Sequence, residues 1–309
     1  MGCKDWDKNV DYYELDKGFA LRKVDWEAFS IRFAVYIPNN LFSQNQEALR
    51  NMLKDFDYCY EITENGKRIG GVMIEPNWMS NLFLEPPNTY TDDLFNELRK
   101  LLLHWSDRAK QIKTRVTRTQ CTFLQRQGFR HQDSRRCMIR PTEKFEVSID
   151  KEFIMSRLDR TMNEELIQFS YDAFKLSNEN PAEITMESHK ESISIFFEYF
   201  NDNEILHRAS SVIYDTKTNQ IAGVCMISLW GEVPLVYDIA VDPSHRGKGL
   251  GKVLLQHALS ELKDTYPTLR LFVTLGNEAE MLYHKMGFRS GQDIIRMYIP
   301  AIDDVSEGS

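Results

Sequence analysis

The sequence predicts a mixed α/β chain that holds one fold twice in tandem, and three observations carry this. Similar segments recur at domain scale, strands and helices alternate in the same order in both copies, and 309 residues are about twice the common domain size. The first recurrence pairs Arg68-Ile69-Gly70-Gly71-Val72-Met73-Ile74 with Gln220-Ile221-Ala222-Gly223-Val224-Cys225-Met226-Ile227, each an apolar run bounded by turn residues. Aligning them sets Gly71 against Gly223. The second recurrence pairs Phe123-Leu124-Gln125-Arg126-Gln127-Gly128-Phe129-Arg130 with Leu282-Tyr283-His284-Lys285-Met286-Gly287-Phe288-Arg289, where a glycine closes a short helix at its left-handed cap. Gly128 precedes Pro141 by 13 residues and Gly287 precedes Pro300 by 13, so the strands Arg136–Arg140 and Ile295–Ile299 share one register.

Within each copy the order is strand, helices, two or three strands, helix, strand, helix, strand. Phe153–Leu158 opens the second copy as a strand, and Leu166, Ile167, Phe169, Ser170 and Phe174 stripe a helix over Glu164–Phe174. A second helix runs from about His189 to Tyr199. Val253, Leu254, Leu255, Ala258, Leu259 and Leu262 stripe a third, and that stripe reads as core. A polar, proline-marked link at Pro141-Thr142-Glu143-Lys144 sets the boundary near residue 145. The expected division is 1–145, 146–302 and a polar tail at 303–309.

Composition narrows the partners. Hydrophobic residues at 42% and charged residues at 27% describe a globular protein and not a disordered one. A net charge of -8 argues against a polyanion binder, so nucleic acid is not an expected partner, while an acidic surface suits a cationic amine. No apolar stretch reaches about 18 residues, so no membrane partner is expected. Cys3, Cys59, Cys121, Cys137 and Cys225 are odd in number and never spaced Cys-x-x-Cys, which reads as free thiols. With no apolar run at the start, a cytoplasmic location is expected. The seven histidines show no His-x-x-x-His spacing, and no metal is expected. His245 and His284 are expected to be surface or packing residues.

Tyr237-Asp238-Ile239-Ala240-Val241 reads as a buried strand, Asp242-Pro243-Ser244-His245 ends it, and Arg246-Gly247-Lys248-Gly249-Leu250-Gly251 leads into the striped helix. A strand-turn-helix of this kind is an anion site, because unpaired N–H groups at a helix start carry about half a positive charge. Glycines let a diphosphate approach closely, and Lys248 and Lys252 add flanking charge. The run is not a Rossmann fingerprint, since Lys252 stands where the third glycine belongs. It is not a Walker A loop either, since Arg246 and Val253 replace the first glycine and the Ser or Thr.

Arg246, Gly249 and Gly251, preceded by Val241-Asp242-Pro243, closely resemble the Arg/Gln-x-x-Gly-x-Gly/Ala signature of the GNAT superfamily of N-acetyltransferases. Asn277-Glu278-Ala279-Glu280-Met281-Leu282-Tyr283-His284-Lys285-Met286-Gly287-Phe288 is similar to that family's second element, with Glu280 replacing its alanine. The resemblance implies two tandem GNAT-like domains, each a mixed, mostly antiparallel central sheet flanked by helices. It implies acetyl-CoA as cosubstrate, with the diphosphate on the amides of Arg246, Gly247, Lys248, Gly249, Leu250, Gly251 and Lys252. The pantetheine arm would run along Ile239, Ala240 and Val241, with Asn277 and Tyr283 completing the site.

Direct attack of an amine on the thioester needs a base, an oxyanion donor and an acid. The resemblance implies Tyr283 as the acid, since a phenol with pKa near about 10 is protonated at neutral pH. The oxyanion donor would be the N–H of Val241 or Ile239. Asp238 is the first candidate for the base, with Glu232 or a water chain as alternatives. Strand alternation sets Asp238 opposite Ile239 and Val241, though a bulge could re-aim it.

In the first copy, aligning Pro86 with Pro243 sets Thr89, Asp92 and Leu94 against Arg246, Gly249 and Gly251, and Leu124 against Tyr283. No glycine remains, and Asp92 with Asp93 would repel a diphosphate. This copy is therefore expected to be a degenerate domain that covers sheet edges, walls the substrate cleft or stands in for a dimer partner. The expected function is transfer of acetyl from acetyl-CoA to a primary amine of a small molecule or peptide, by a monomer or homodimer. The alternative is a non-catalytic acyl-CoA sensor or partner-binding module. The acceptor is expected to be set by residues around Phe169 to Phe200.

Overall fold

The computed structural model describes residues 5–37, 41–42, 46–175, 185–199 and 203–302. Cys3, the tail at 303–309, and residues 176–184 and 200 of the expected acceptor-side segment lie outside the described residues. The chain divides into two compact units: Met1–Arg135 with Gln292–Ser309, and Arg136–Gly291.

In chain order the elements of the first half are β1 (Tyr12–Glu14), β2 (Phe19–Lys23), α1 (Trp26–Tyr36), α2 (Gln46–Asn51), β3 (Cys59–Glu64), β4 (Lys67–Glu75), β5 (Trp78–Leu84), α3 (Asp92–Trp105), β6 (Ile112–Thr117), α4 (Arg118–Arg126) and β7 (Arg130–Pro141). The second half adds β8 (Phe153–Arg157), α5 (Asn163–Lys175), α6 (Met186–Tyr199), α7 (Glu204–Ala209), β9 (Ser211–Asp215), β10 (Ile221–Trp230), β11 (Val233–Val241), α8 (Leu250–Leu262), β12 (Thr268–Thr274), α9 (Ala279–Lys285) and β13 (Arg289–Ile299). The predicted alternation of strands and helices is present in both halves, and the mixed α/β class is borne out.

The sheet of unit 1 runs β1-β2-β3-β4-β5-β6-β13, antiparallel except for the β5–β6 pair. Leu94, Phe95, Leu98, Leu101, Leu102 and Trp105 of α3 bury one helical face against it, together with Ile295, Met297 and Ile299 of β13. Burying each such side chain is worth about 1.5–3 kcal/mol, so this face is the main reason α3 is a helix here. On the opposite side Phe29 and Phe33 of α1 pack on Cys59, Met73 and Phe83.

The sheet of unit 2 runs β7-β12-β11-β10-β9-β8. Its β8–β9, β9–β10 and β10–β11 pairs are antiparallel and β11–β12 is parallel. The predicted stripe of α8 is buried at Leu254, Leu255, Ala258, Leu259 and Leu262. Leu166, Phe169 and Ala173 of α5 and Ile193, Phe196 and Phe197 of α6 make the core on the other face.

The units differ from a division at residues 145 and 302. Thr142 N–H donates to the Pro267 carbonyl at 3.0 Å, Thr142 Oγ1 to the Tyr266 carbonyl at 2.6 Å, and Phe145 N–H to Ser260 Oγ at 2.8 Å. The polar stretch read as a link is thus bonded onto unit 2. Residues 136–141 supply the strand beside β12, while 294–299 pair with 117–112 of β6 in unit 1. Each unit takes its last strand from the other half of the sequence.

Candidate functional site

Strand β11 has one paired edge and one open edge beside the turn. Val241, Ala240, Ile239 and Asp238 lie opposite Gly223, Val224, Cys225 and Met226 of β10. Asp242 N–H donates to the Ala222 carbonyl at 3.0 Å. The alternation of an antiparallel ladder then turns the main-chain groups of Ala240 and Asp238 toward β10 and those of Val241 and Ile239 away from it. On that far side β12 shares one ladder pair with β11, Leu235 with Arg270, at the opposite end of the strand. The N–H and C=O groups of Ile239 and Val241 therefore line an edge beyond the reach of that pairing. Ala240, expected to share in these contacts, faces β10 with its backbone and is 7% exposed.

A bulge sits one residue before Asp238: the register shifts between Met226 and Ile227, leaving Tyr237 as the extra residue. Val236 and Ile239, three apart, consequently face one core with Val241, while Ala240 belongs to the α5 and α6 side. From Asp238 onward the alternation is regular, so the bulge does not bring the Asp238 side chain round to Ile239. Ser170 Oγ of α5 donates to Asp238 Oδ2 at 3.4 Å. Tyr237 Oη donates to the Ser192 carbonyl at 2.8 Å, and its ring lies 5.3 Å from that of Phe196. Glu232 is exposed at the β10–β11 hairpin with φ +65°, at the end of β11 remote from Val241, which removes it from the candidates for the base.

At the other end of β11 the chain makes a 3-10 turn, Pro243–His245, where Asp242 Oδ1 accepts from Ser244 N–H at 2.8 Å. Gly247 and Gly249 have φ of +79° and +80°, which glycine adopts without strain, and nothing lies within 4 Å of a Cβ built on either. Gly251 lacks a positive φ, and a Cβ there would stand 3.4 Å from Leu282 Cδ2. Gly249 is the N-cap of α8 and offers no side-chain acceptor. The N–H groups of Arg246 and Lys248, expected among the diphosphate donors, are turned inward to the Pro243 and His245 carbonyls at 3.4 Å each, and Val253 N–H bonds to Gly249 O at 3.1 Å. Among the described residues the N–H groups of Gly247, Gly249, Leu250, Gly251 and Lys252 have no acceptor. Leu250, 3% exposed, anchors the turn to the core and contributes main chain alone. This arrangement fits a diphosphate.

The basic side chains divide. Arg246 Nη2 donates to the Ala173 carbonyl at 3.1 Å, tying the turn to the last part of α5. Lys248 Nζ lies 5.3 Å from the Phe153 ring centroid and 3.3 Å from His245 Nδ1. Lys252 is exposed. His245 packs edge-on to Phe153 and stands 3.5 Å from Asp215, a packing role as expected from the sequence.

Asn277 Oδ1 accepts from Ala279 N–H at 2.9 Å and so starts α9. Glu280 accepts from Arg136 Nη1 at 2.9 Å, which accounts for an acid where the similar segments have alanine. Tyr283, 6% exposed, lies in the α8-side core and meets Phe288 edge-on at 6.0 Å. Asp238 belongs to the α5 side of the sheet, so the two catalytic candidates do not share a face. The four described thiols are poor nucleophiles: burial pushes Cys59 and Cys137 up to about 12, and Cys225 and Cys121 are raised by the same cause.

In unit 1 the corresponding helix start carries a side-chain cap and its own carboxylate. Thr91 Oγ1 accepts from Leu94 N–H at 3.3 Å, and Asp92 takes Arg126 through two bonds of 2.8 and 3.1 Å. Leu124 and Tyr283 are true counterparts, because their carbonyls accept from Phe129 and Phe288 N–H at 3.0 Å each. A cavity of about 830 Å³ in unit 1, with Asp11, Asp25, Asp55 and Asp57 in its wall, contains none of these residues. Gly247 and Gly249 of the turn lie at an exposed surface.

The model of the acetyltransferase (GNAT) family matches residues 171–288. A ribosomal protein bS18-alanine N-acetyltransferase of Haemophilus influenzae is 35% identical over 85 residues, 27% of this chain and 58% of that protein. The Escherichia coli K12 protein of the same description is 34% identical over 90 residues, 28% of this chain and 60% of that protein. The chain thus spans about 60% of the length of these curated relatives. Among solved structures, a GCN5-related N-acetyltransferase from Sphaerobacter thermophilus matches with TM-score 0.65 at 13% identity, over 92% of this chain and 96% of that one. A tandem GNAT protein from the clavulanic acid biosynthesis pathway matches with TM-score 0.56 at 10% identity, over 92% and 98%. These two likenesses are of fold alone.

Proposed function

We propose, from the match of residues 171–288 to the model of the acetyltransferase (GNAT) family, that the chain transfers acetyl from acetyl-CoA directly to a primary amine. The observation that carries this is the junction of β11 and α8, where an open strand edge at Ile239 and Val241 runs straight into a helix start with free N–H donors. The amides of Gly247, Gly249, Leu250, Gly251 and Lys252 hold the diphosphate, and Lys252 adds charge. Arg246 acts through its carbonyl anchor on α5 and positions the turn.

The cosubstrate supplies the thioester. Asp238, held by Ser170, takes the proton of the acceptor ammonium, and the Val241 or Ile239 N–H meets the oxyanion. Tyr283 supplies the proton to the departing thiolate, and Asn277 holds the start of its helix. Among the described residues, the raised thiols of Cys137 and Cys225 are poor acetyl carriers, which favours direct transfer.

The acceptor is an amine on a small molecule or on a peptide. The peptide class is the one that the relatives' described activity on a ribosomal protein alanine points to. Tyr171, Phe174 and His189 form an aromatic group on the α5–α6 side where such an acceptor would enter. No helix among the described residues is long and apolar enough to cross a membrane, and a cytoplasmic site suits the four free cysteines described. Release of free CoA across a panel of amines and alanine-starting peptides tests the reading. Tight acetyl-CoA binding without turnover on any acceptor would replace the enzyme by a sensor.

A further inference from the structure

Unit 1 repeats the open-edge geometry of unit 2 and then closes it. Strands β5 and β6 are parallel and share two ladder pairs, Trp78 with Lys113 and Met79 with Thr114, at the start of β5. Toward its end, Glu85 N–H donates to the Ile69 carbonyl at 2.8 Å and Phe83 pairs with Gly71. The main-chain groups of Leu82 and Leu84 then point away from β4, as those of Ile239 and Val241 point away from β10. Leu82 lies four residues before Pro86 and Ile239 four before Pro243, so the two edges correspond residue for residue.

The Leu82 edge is covered by this chain's own side chains. Gln120 of α4 is 2% exposed; its Nε2 donates to the Leu82 carbonyl at 2.7 Å and to Tyr90 Oη at 2.8 Å. Its Oε1 accepts from Thr117 N–H at 2.9 Å and Thr117 Oγ1 at 3.1 Å, so both ends of the carboxamide are committed. A buried amide bonded to a strand carbonyl is the contact an amide-bearing ligand arm would make on that edge. Asp92 with Arg126 likewise supplies an internal anion at the start of α3. Gln120 lies one helical turn before Leu124, and the residue one turn before Tyr283 is Ala279, which has no side chain to reach the edge.

We propose that Gln120, Tyr90 and Asp92 are built-in replacements for acyl-CoA in unit 1, and that Gln120 against Ala279 decides which unit's edge stays open to the pantetheine arm. This rests on the acetyl-CoA reading of unit 2. It makes the chain a one-site protein whose first unit is permanently in the ligand-filled form.

Calorimetry with acetyl-CoA on the full chain tests it, with thermal melting of each variant. Wild type is expected to bind one acetyl-CoA per chain. Ala279→Gln is expected to melt like wild type and to bind at least about tenfold more weakly, because the new amide competes for the Ile239 carbonyl. Gln120→Ala is expected to keep wild-type affinity and to melt at least about 3 °C lower, since it removes the 2.7 Å bond to the buried Leu82 carbonyl and leaves it the 3.5 Å contact of Tyr90 Oη. Unchanged affinity in folded Ala279→Gln, two acetyl-CoA per wild-type chain, or an unchanged melting point in Gln120→Ala would each overturn the inference. Should Ala279→Gln not fold, the Gln120→Ala arm decides alone. Absence of binding by wild type would instead remove the acetyl-CoA reading on which the inference stands.

Discussion

Arg136 donates to Glu280 at 2.9 Å, and this bond fastens the first residue of unit 2 to helix α9. The two side chains are 23% and 17% exposed, so the pair is partly shielded from solvent. Glu280→Ala is expected to lower unfolding free energy by about 1 kcal/mol in urea titrations, a value discounted for that remaining exposure. The double variant with Arg136→Ala should lose less than the sum of the single losses, and strict additivity would show that they do not act as a pair.

Gly249 holds φ +80° at the start of α8. Asparagine tolerates that conformation about as well as aspartate, so Gly249→Asn and Gly249→Asp differ chiefly by one negative charge at a helix N-terminus. Acetyl-CoA affinity measured by calorimetry should be at least about tenfold weaker for the aspartate than for the asparagine. Equal affinities would place the diphosphate elsewhere.

Tyr283→Phe keeps the ring against Phe288 and removes only the hydroxyl. With the hydroxyl as the acid for the thiolate, kcat should fall by about 10²- to 10⁴-fold while acetyl-CoA affinity stays within about threefold. A rise in KM alone would make the tyrosine a packing residue.

Because residues 136–141 lie beside β12 and 294–299 pair with β6, a fragment 146–302 lacks one strand of its sheet and carries another without a partner. Fragment 136–291 should melt cooperatively by circular dichroism and 146–302 should not. The reverse result would show that the exchanged strands are dispensable.

Asp215 accepts from the N–H groups of Lys217 and Thr218, and these bonds, with His245 as a smaller contributor, hold its carboxyl below the ordinary 3.8. The unfolded chain then binds the proton more readily. The stabilisation is therefore complete above 3.8 and is lost as pH falls through the lower folded value. Urea midpoints for wild type and Asp215→Asn should converge between about pH 5 and about pH 2. A constant gap would show that the carboxylate charge is not what the turn uses.

Much of unit 2 was legible because its signals are local. The strand, the Asp242-Pro243 break, the glycine turn and the α8 stripe follow one another within 30 residues, and each is set by backbone freedom or helical period. The Gly71 and Gly223 alignment is one residue off: it is Gly70 whose added Cβ would press on the carbonyl of Phe83, as one on Gly223 would meet that of Ala240. A bulge in each hairpin hides that shift from sequence offsets. The capping-box spacing Thr117-x-x-Gln120 was readable, yet nothing local indicates that the free end of Gln120 reaches Leu82, 38 residues away.

Local order, periodicity and capping were determined by the sequence: which segments become strands and helices, where the left-handed glycines lie, and which copy lost them. Tertiary structure alone decided which strand completes which sheet. Arg136–Arg140 and Ile295–Ile299 follow their glycines at the same spacing and carry similar apolar faces, so either could complete either unit by its own pattern. Only the shape of the core beneath each edge, with Ile295, Met297 and Ile299 against α3 and Met138 in the core of α8, selects the exchanged pairing.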